Sequence, residues 1–254
     1  MSDTVLLNVA DGLARITLNR PDRLNAFNAE AAHAWADVTG EATSRGDVGA
    51  IVVDAAGRAF CAGGDVRDMA ENMGSGAQIT ELAEVINVGI RALTESAVPV
   101  VVAAQGTTAG GGLGILMASD YAVIGADSQI GSLYANIGLT PDLSVSAQLA
   151  RAVGERRALQ LVLQDRMLSA SEALEWGLVA EVVAPDAVGL RADEVARFWL
   201  AGAHGAYGHA KRLIRSQRER SFVEQLREEA RSIGAAFDTP EAQARIRAFT
   251  KRSR

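Results

Sequence analysis

Apolar positions along this chain follow two rhythms, and the breaks between them sketch the fold. "VLLNVADGLARITLNR" carries two alternating runs on either side of Asp11-Gly12, which predicts a hairpin. "PDRLNAFN" breaks the pattern at Pro21, and "AEAAHAWADVTGEATSR" then reads as a helix with Asn28 as N-cap and Glu30 in its first turn. "VGAIVVDAAG" is a buried strand, and "GRAFCAGGDVRDMAEN" is a loop running into a helix. Gly and Ser cluster in "NMGSGAQ", which predicts a mobile segment before a long helix that ends near Glu95. "VPVVVAAQG" is the next buried strand, "GGLGILMASD" a helix buried on most sides, and "YAVIGADSQIG" two short strands. From Pro141 the pattern is mostly helical, with "LVAEVVA" a short strand and two longer helices at the C-terminal end. Ser169 and Glu172 have capping-box spacing. Strands alternating with helices predict an α/β core over residues 1–195, followed by a helical region over 196–254.

Composition narrows the function classes. Of the 254 residues, 48% are hydrophobic and 22% charged, enough to build a core. The net charge of −6 gives no support for a nucleic-acid partner. The basic runs "KRLIRSQRER" and "RIRAFTKRSR" are either solvated helix faces or local attractors for phosphates. A single cysteine, Cys61, rules out a disulfide within the chain and suits a reducing, cytoplasmic setting. A packing role fits it better than nucleophilic catalysis. The N-terminus shows no secretory pattern. The uncharged run Val98–Ser119 contains Pro99, Gln105, Gly106 and two threonines, so it reads as buried rather than membrane-spanning. His33, His204 and His209 lack metal-ligand spacing, and no metal is expected.

Two glycine turns, "FCAGGD" and "AGGGLG", each follow a strand and open a helix. Helix N-termini leave backbone N–H groups unpaired, and glycine lets a ligand come close. Two such turns facing one point would offer two donors to one oxygen. Either turn taken alone is better explained by close helix packing. Neither is a phosphate loop or a dinucleotide fingerprint.

"PDRLNAFN", "GRAFCAGGDVRDM", "AAQGTTAGGGLGILMASDYAVIGADSQIG", "GLTPD" and "ALEWGLVAEVV", in that order, make nearly the whole chain similar to the enoyl-CoA hydratase/isomerase (crotonase) superfamily. The resemblance implies a spiral of ββα units, a C-terminal helical trimerisation region, a homotrimer or homohexamer, and an acyl-CoA thioester substrate. No tightly bound cofactor is implied, since the substrate carries the coenzyme A. It assigns the thioester oxygen to the N–H groups of Gly64 and Gly111. Arg23, Leu24, Ala26, Ala62, Asp65, Val66 and Arg67 match positions lining the substrate's coenzyme A, Tyr134 and Leu139 the acyl pocket, and Phe249 and Lys251 the C-terminal contacts with coenzyme A. Hydratases of the family use two glutamates, and their positions are here Gly114 and Tyr134. One carboxylate remains, Asp142, at the place where some isomerases of the family carry their single acid. That predicts a double-bond isomerase working through an enolate. Alternatives are a helix-capping role for Asp142, a hydrolytic aryl- or acyl-CoA enzyme with Asp142 as nucleophile, a hydratase despite the missing glutamates, and a non-catalytic acyl-CoA-binding subunit. 4-Chlorobenzoyl-CoA dehalogenases share the Asp142 position but differ at Asn87 and Gly64.

Overall fold

A computed structural model describes residues 2–164 and 166–252, except the side chain of Arg252. Its strands are β1 (Val5–Ala10), β2 (Leu13–Leu18), β3 (Ala50–Ala55), β4 (Val100–Ala104), β5 (Thr107–Ala109), β6 (Tyr121–Gly125), β7 (Gln129–Gly131), β8 (Met167–Ser169) and β9 (Glu181–Val183). Its helices are α1 (Ala29–Ser44), α2 (Val66–Asn72), α3 (Gly76–Glu95), α4 (Gly111–Ala118), α5 (Val145–Val153), α6 (Glu155–Leu163), α7 (Ala170–Glu175), α8 (Val188–Ala201), α9 (His204–Arg215), α10 (Phe222–Phe237) and α11 (Pro240–Arg252). None of the described helices is long and apolar enough to cross a membrane.

The hairpin forms as expected, with Asp11 and Gly12 both at positive φ, as a tight two-residue turn requires. It is the antiparallel edge of a sheet ordered β1-β2-β3-β4-β6-β9, in which every other pairing is parallel. A second sheet runs β5-β7-β8. Chain order explains both layers. After β4 the chain drops into the second layer as β5 and then turns into α4. After β6 it drops again as β7 on the way to α5. The turn before these does the same with one residue, Cys61, which bridges Thr108. Each circuit therefore lays one long strand, one short strand and a helix, a ββα spiral. β5 and β8 were not expected from the sequence, because three residues are too few to show a period.

Alternate residues of the central strands serve two cores. Ile51, Val53, Val100 and Val102 face Trp35, Phe60, Leu93 and Leu113 on one side. Ala50, Val52, Val101, Ala103 and Val123 face Val188, Ala192, Val195 and Ala196 of α8 on the other. A sheet covered on both faces needs uncharged strands, which accounts for the apolar runs.

The division expected at 195/196 falls inside α8, a helix buried on the sheet. The two longer C-terminal helices of the sequence reading are four, counting α8 to α11 among the described residues. They are separated at Gly202, at the single turn Gln217–Glu219, and at Thr239 before Pro240. The Gly/Ser segment is also shorter than expected. The α2–α3 connection is residues 73–75, and Gly76 already begins the helix. The capping box at Ser169 and Glu172 is formed, and Ser221 with Glu224 makes a second one on α10. α9 is pinned to the core by Lys211, whose Nζ donates to the carbonyls of Leu93 and Val98 and pairs with Asp120 at 2.8 Å. Ser253 and Arg254, the end of the second basic run, lie outside the described residues.

Candidate active site

The two glycine turns meet. Ala109 N–H donates to the Cys61 carbonyl at 2.9 Å, and Phe60 N–H to the Thr107 carbonyl at 3.1 Å, so the segments run side by side. Gly63 (φ +100) and Gly110 (φ +54) adopt backbone conformations closed to ordinary side chains. A Cβ on Gly63 would lie 3.0 Å from the Gly111 nitrogen, which leaves no space for one. Phe27 brackets Gly64, donating to the Gly63 carbonyl and accepting from Asp65 N–H. Strand geometry then turns the Gly64 N–H to the opposite side. Gly111 is the first residue of α4, whose N–H has no intrahelical acceptor. Gly63, Gly64, Gly110 and Gly111 all line one cavity of about 590 Å³. Cys61 lies behind the first turn, fully buried; its thiol donates to the Asn25 carbonyl, and burial pushes its pKa up to about 12. That is an inert packing residue.

The same cavity is lined by Asp142, Tyr134, Leu133, Leu139 and Leu143. Tyr134 opens a short 3-10 turn, Tyr134–Ile137, and its hydroxyl donates to Asp142 Oδ1 at 2.6 Å. Asp142 does not cap α5 with its side chain. The N-cap is Ser144, without a side-chain cap bond, and Asp142 contributes only its carbonyl, to Val145 N–H. Burial raises the Asp142 pKa above the ordinary carboxylate range, and hydrogen bonds from Tyr134 and from its own backbone offset this only in part. Burial, then the neighbouring carboxylate, raises the Tyr134 hydroxyl as well.

Leu143 explains the missing glutamate. It is buried, with φ of 47°, and Ser144 follows at 67°. Its side chain packs where Gly111 would carry a Cβ, 2.7 Å from Cδ1. Its carbonyl oxygen lies 2.3 Å from where Gly114 would carry one. The position to which the resemblance assigns the first glutamate of hydratases is therefore closed to a side chain by backbone.

A second cavity, of about 720 Å³, adjoins the first and shares Gly64 and Val66 with it. Pro21, Asp22, Arg23, Leu24, Ala26, Gly57, Arg58, Asp65 and Arg67 complete its lining. Arg23, Leu24, Ala26, Asp65, Val66 and Arg67 thus come together as expected, and Ala62 lines the first cavity. Asp65 also has a structural task. Its carboxylate caps α2 through Asp68 N–H and pairs with Arg20 at 3.0 Å. Burial pushes its pKa up, but the Asp68 N–H and Arg20 outweigh it and hold the group below its usual value. Phe249 and Lys251 lie on α11 and line neither cavity.

The sequence reading missed four contributors. Arg58 lines the second cavity together with Arg23 and Arg67, and only folding brings it there. Asn87, considered only as a mismatch, and Glu84 line the first cavity from α3. Asn25 is buried at positive φ, and its Nδ2 donates at 2.9 Å to the carbonyls of Ala56 and Ala59 while its Oδ1 accepts from Arg20 N–H. It clamps the loop before α1 against the first glycine turn. Asn25→Ala is expected to cost about 3 kcal/mol by leaving buried carbonyls unpaired, measured by denaturant unfolding.

Comparison with known proteins agrees with this architecture. The model of the enoyl-CoA hydratase/isomerase family matches residues 8–254. A "Probable enoyl-CoA hydratase" of Rhizobium meliloti is 32% identical, over 97% of this chain and 95% of the other. A 1,2-epoxyphenylacetyl-CoA isomerase of Escherichia coli is 29% identical, over 89% and 87%. The crystal structure of an enoyl-CoA hydratase from Mycobacterium smegmatis superposes with a TM-score of 0.92 at 25% identity, covering 99% of this chain and 97% of that one. Its relatives carry both hydratase and isomerase names, and the chain belongs to the enoyl-CoA hydratase/isomerase family, with the crotonase fold.

Proposed function

We propose that this member of the family is an enoyl-CoA isomerase that shifts a double bond through an enolate. One observation carries the reading. Asp142 is a half-buried carboxylate in the cavity of the two glycine turns, while the Leu143 carbonyl closes the position that the resemblance assigns to the first hydratase glutamate. Hydration needs one group to activate water and another to handle the α-proton; isomerisation needs one base that takes a proton and returns it. In this reading Gly64 and Gly111 N–H groups hold the thioester oxygen as charge develops, each worth about 3 kcal/mol in the transition state. Leu139 and Tyr134 line the acyl group. The reaction so written calls for no tightly bound cofactor.

Incubation with 3-enoyl-CoA thioesters tests the proposal. The 2-enoyl isomer should form without 3-hydroxyacyl product. Hydration of 2-enoyl-CoA at a comparable rate would refute it.

The coenzyme A moiety is assigned to the second cavity, where Arg23, Arg58 and Arg67 supply positive charge for its phosphates. Arg58→Ala and Arg67→Ala should each raise KM about 3- to 10-fold with kcat unchanged, an effect that shrinks in high salt. The exposed apolar residues Phe222, Val223, Ile233 and Phe237 on α10 and Phe249 on α11 support a homotrimer or a dimer of trimers. Such an assembly would bring Phe249 and Lys251 to a neighbour's substrate. The single buried cysteine supports a cytoplasmic setting.

A further inference from the structure

We infer that Tyr134 is a positioning residue for Asp142: its hydroxyl, 2.6 Å from Oδ1, ties down one carboxylate oxygen and leaves Oδ2 to carry the proton in both directions. The inference rests on the reading of Asp142 as the base. An O–H···O⁻ contact of this length is a strong, charge-assisted hydrogen bond. Both partners are held by unusual backbone. Leu133 (φ 55°) precedes Tyr134, and Leu143 (φ 47°) follows Asp142. The Tyr134 carbonyl accepts from Leu139 N–H at 3.1 Å, which closes the turn and fixes the ring's base. Non-glycine residues in this region are strained and persist only where the surrounding structure holds them there.

The step balances on the chain's own atoms. Oδ2 takes the proton as the C2–H bond breaks. The electron pair moves into the thioester, whose oxygen becomes the enolate. The enolate collapses, and C4 takes the same proton back from Oδ2 as the double bond settles between C2 and C3. With Oδ1 held by Tyr134, the carboxyl group cannot turn, so the proton returns on the face from which it came. A carboxyl group free to rotate would lose it to solvent more often. No other side chain among the described residues donates to Asp142 by a hydrogen bond.

Few other charges face the pair. Glu84 on α3 lines the same cavity. α4 has no ionisable side chain, and Arg151 on α5 lines a separate cleft. Glu155, Arg156 and Arg157 on α6, which packs on the Tyr134 turn, line neither substrate cavity. Cys61, with its raised pKa, stays neutral.

Tyr134→Phe tests the inference in the intact protein, beside Asp142→Asn. Removing the hydroxyl removes a contact that lowers the Asp142 pKa. The acid limb of the kcat/KM profile should therefore move up by about one pH unit, and kcat should fall on the order of tenfold. With a 3-enoyl thioester deuterated at C2, label retained at C4 should drop in the variant. Titration of ¹³C-labelled aspartate by NMR should show the same pKa rise without turnover. An unmoved acid limb and unchanged label retention would overturn the positioning role. Full turnover by Asp142→Asn would instead overturn the reading of Asp142 as the base.

Discussion

Asp142→Asn should reduce isomerisation by about 10³-fold or more while acyl-CoA still binds, because the proposed mechanism has one proton carrier and its removal leaves none. The Asn carbonyl can still accept from Tyr134, so the loop keeps its shape. The same substitution should leave Tm at pH 8 equal or higher. Burial raises the folded-state pKa of Asp142 above its unfolded value. Such a group contributes stability below the ordinary carboxylate range and loses it as pH rises through the raised pKa. At pH 8 the carboxylate is charged in a poorly solvated place, and a neutral amide relieves that. At pH 4 the advantage of the variant should shrink. Kinetics and thermal melts at the two pH values check both parts. A variant that melts well below the parent at pH 8 would mean that the carboxylate supports the fold rather than the reaction.

Gly114→Glu, the substitution that would supply the family's first glutamate, should fail to create a hydratase and should unfold the protein instead. A Cβ at Gly114 would lie 2.3 Å from the Leu143 carbonyl oxygen and 2.9 Å from the Leu143 Cβ. Neither atom can yield cheaply. Leu143 is buried beneath α4, already at positive φ, and its Cδ1 packs against Gly111. Even Gly114→Ala should cost about 3 kcal/mol or more, since overpacking against backbone shifts the whole segment. Urea unfolding of the alanine variant measures this. A midpoint unchanged from the parent would show that the segment Asp142–Ser144 can move aside and that the glutamate is absent for some other reason.

Much of this was legible in the sequence because local and global signals agree. The strands of the main sheet read clearly, since burial on both faces leaves runs such as "VPVVVAAQG" without charge. Asn28 and Ser169 announced helix starts through side chains that do form the expected bonds. The glycine turns were visible as motifs, and their meeting point followed from the family resemblance, with the backbone bonds between Cys61 and Ala109 supplying the physical cause. What stayed hidden depends on long-range geometry. β5 and β8 are strands only because their neighbours pair with them. Arg58 joins Arg23 and Arg67 through the spiral rather than through spacing. The Leu143 carbonyl carries no sequence signal at all, since any residue has one. Tyr134 looked like an acyl-pocket wall, and its bond to Asp142 spans a loop whose shape no periodicity describes.

The most direct test of the account is solvent deuterium exchange followed by mass spectrometry. The protein and its Asp142→Asn variant would be incubated in D2O with 3-enoyl-, 2-enoyl- and phenylacetyl-type CoA thioesters. Oδ2 returns most protons directly, but repeated reversible turnovers let a fraction exchange, so the account predicts gradual deuterium uptake at C2 or C4 of at least one thioester with the parent protein and none above background with the variant. Exchange that persists in the variant, or a covalent acyl adduct on Asp142 with no exchange in either protein, would contradict it.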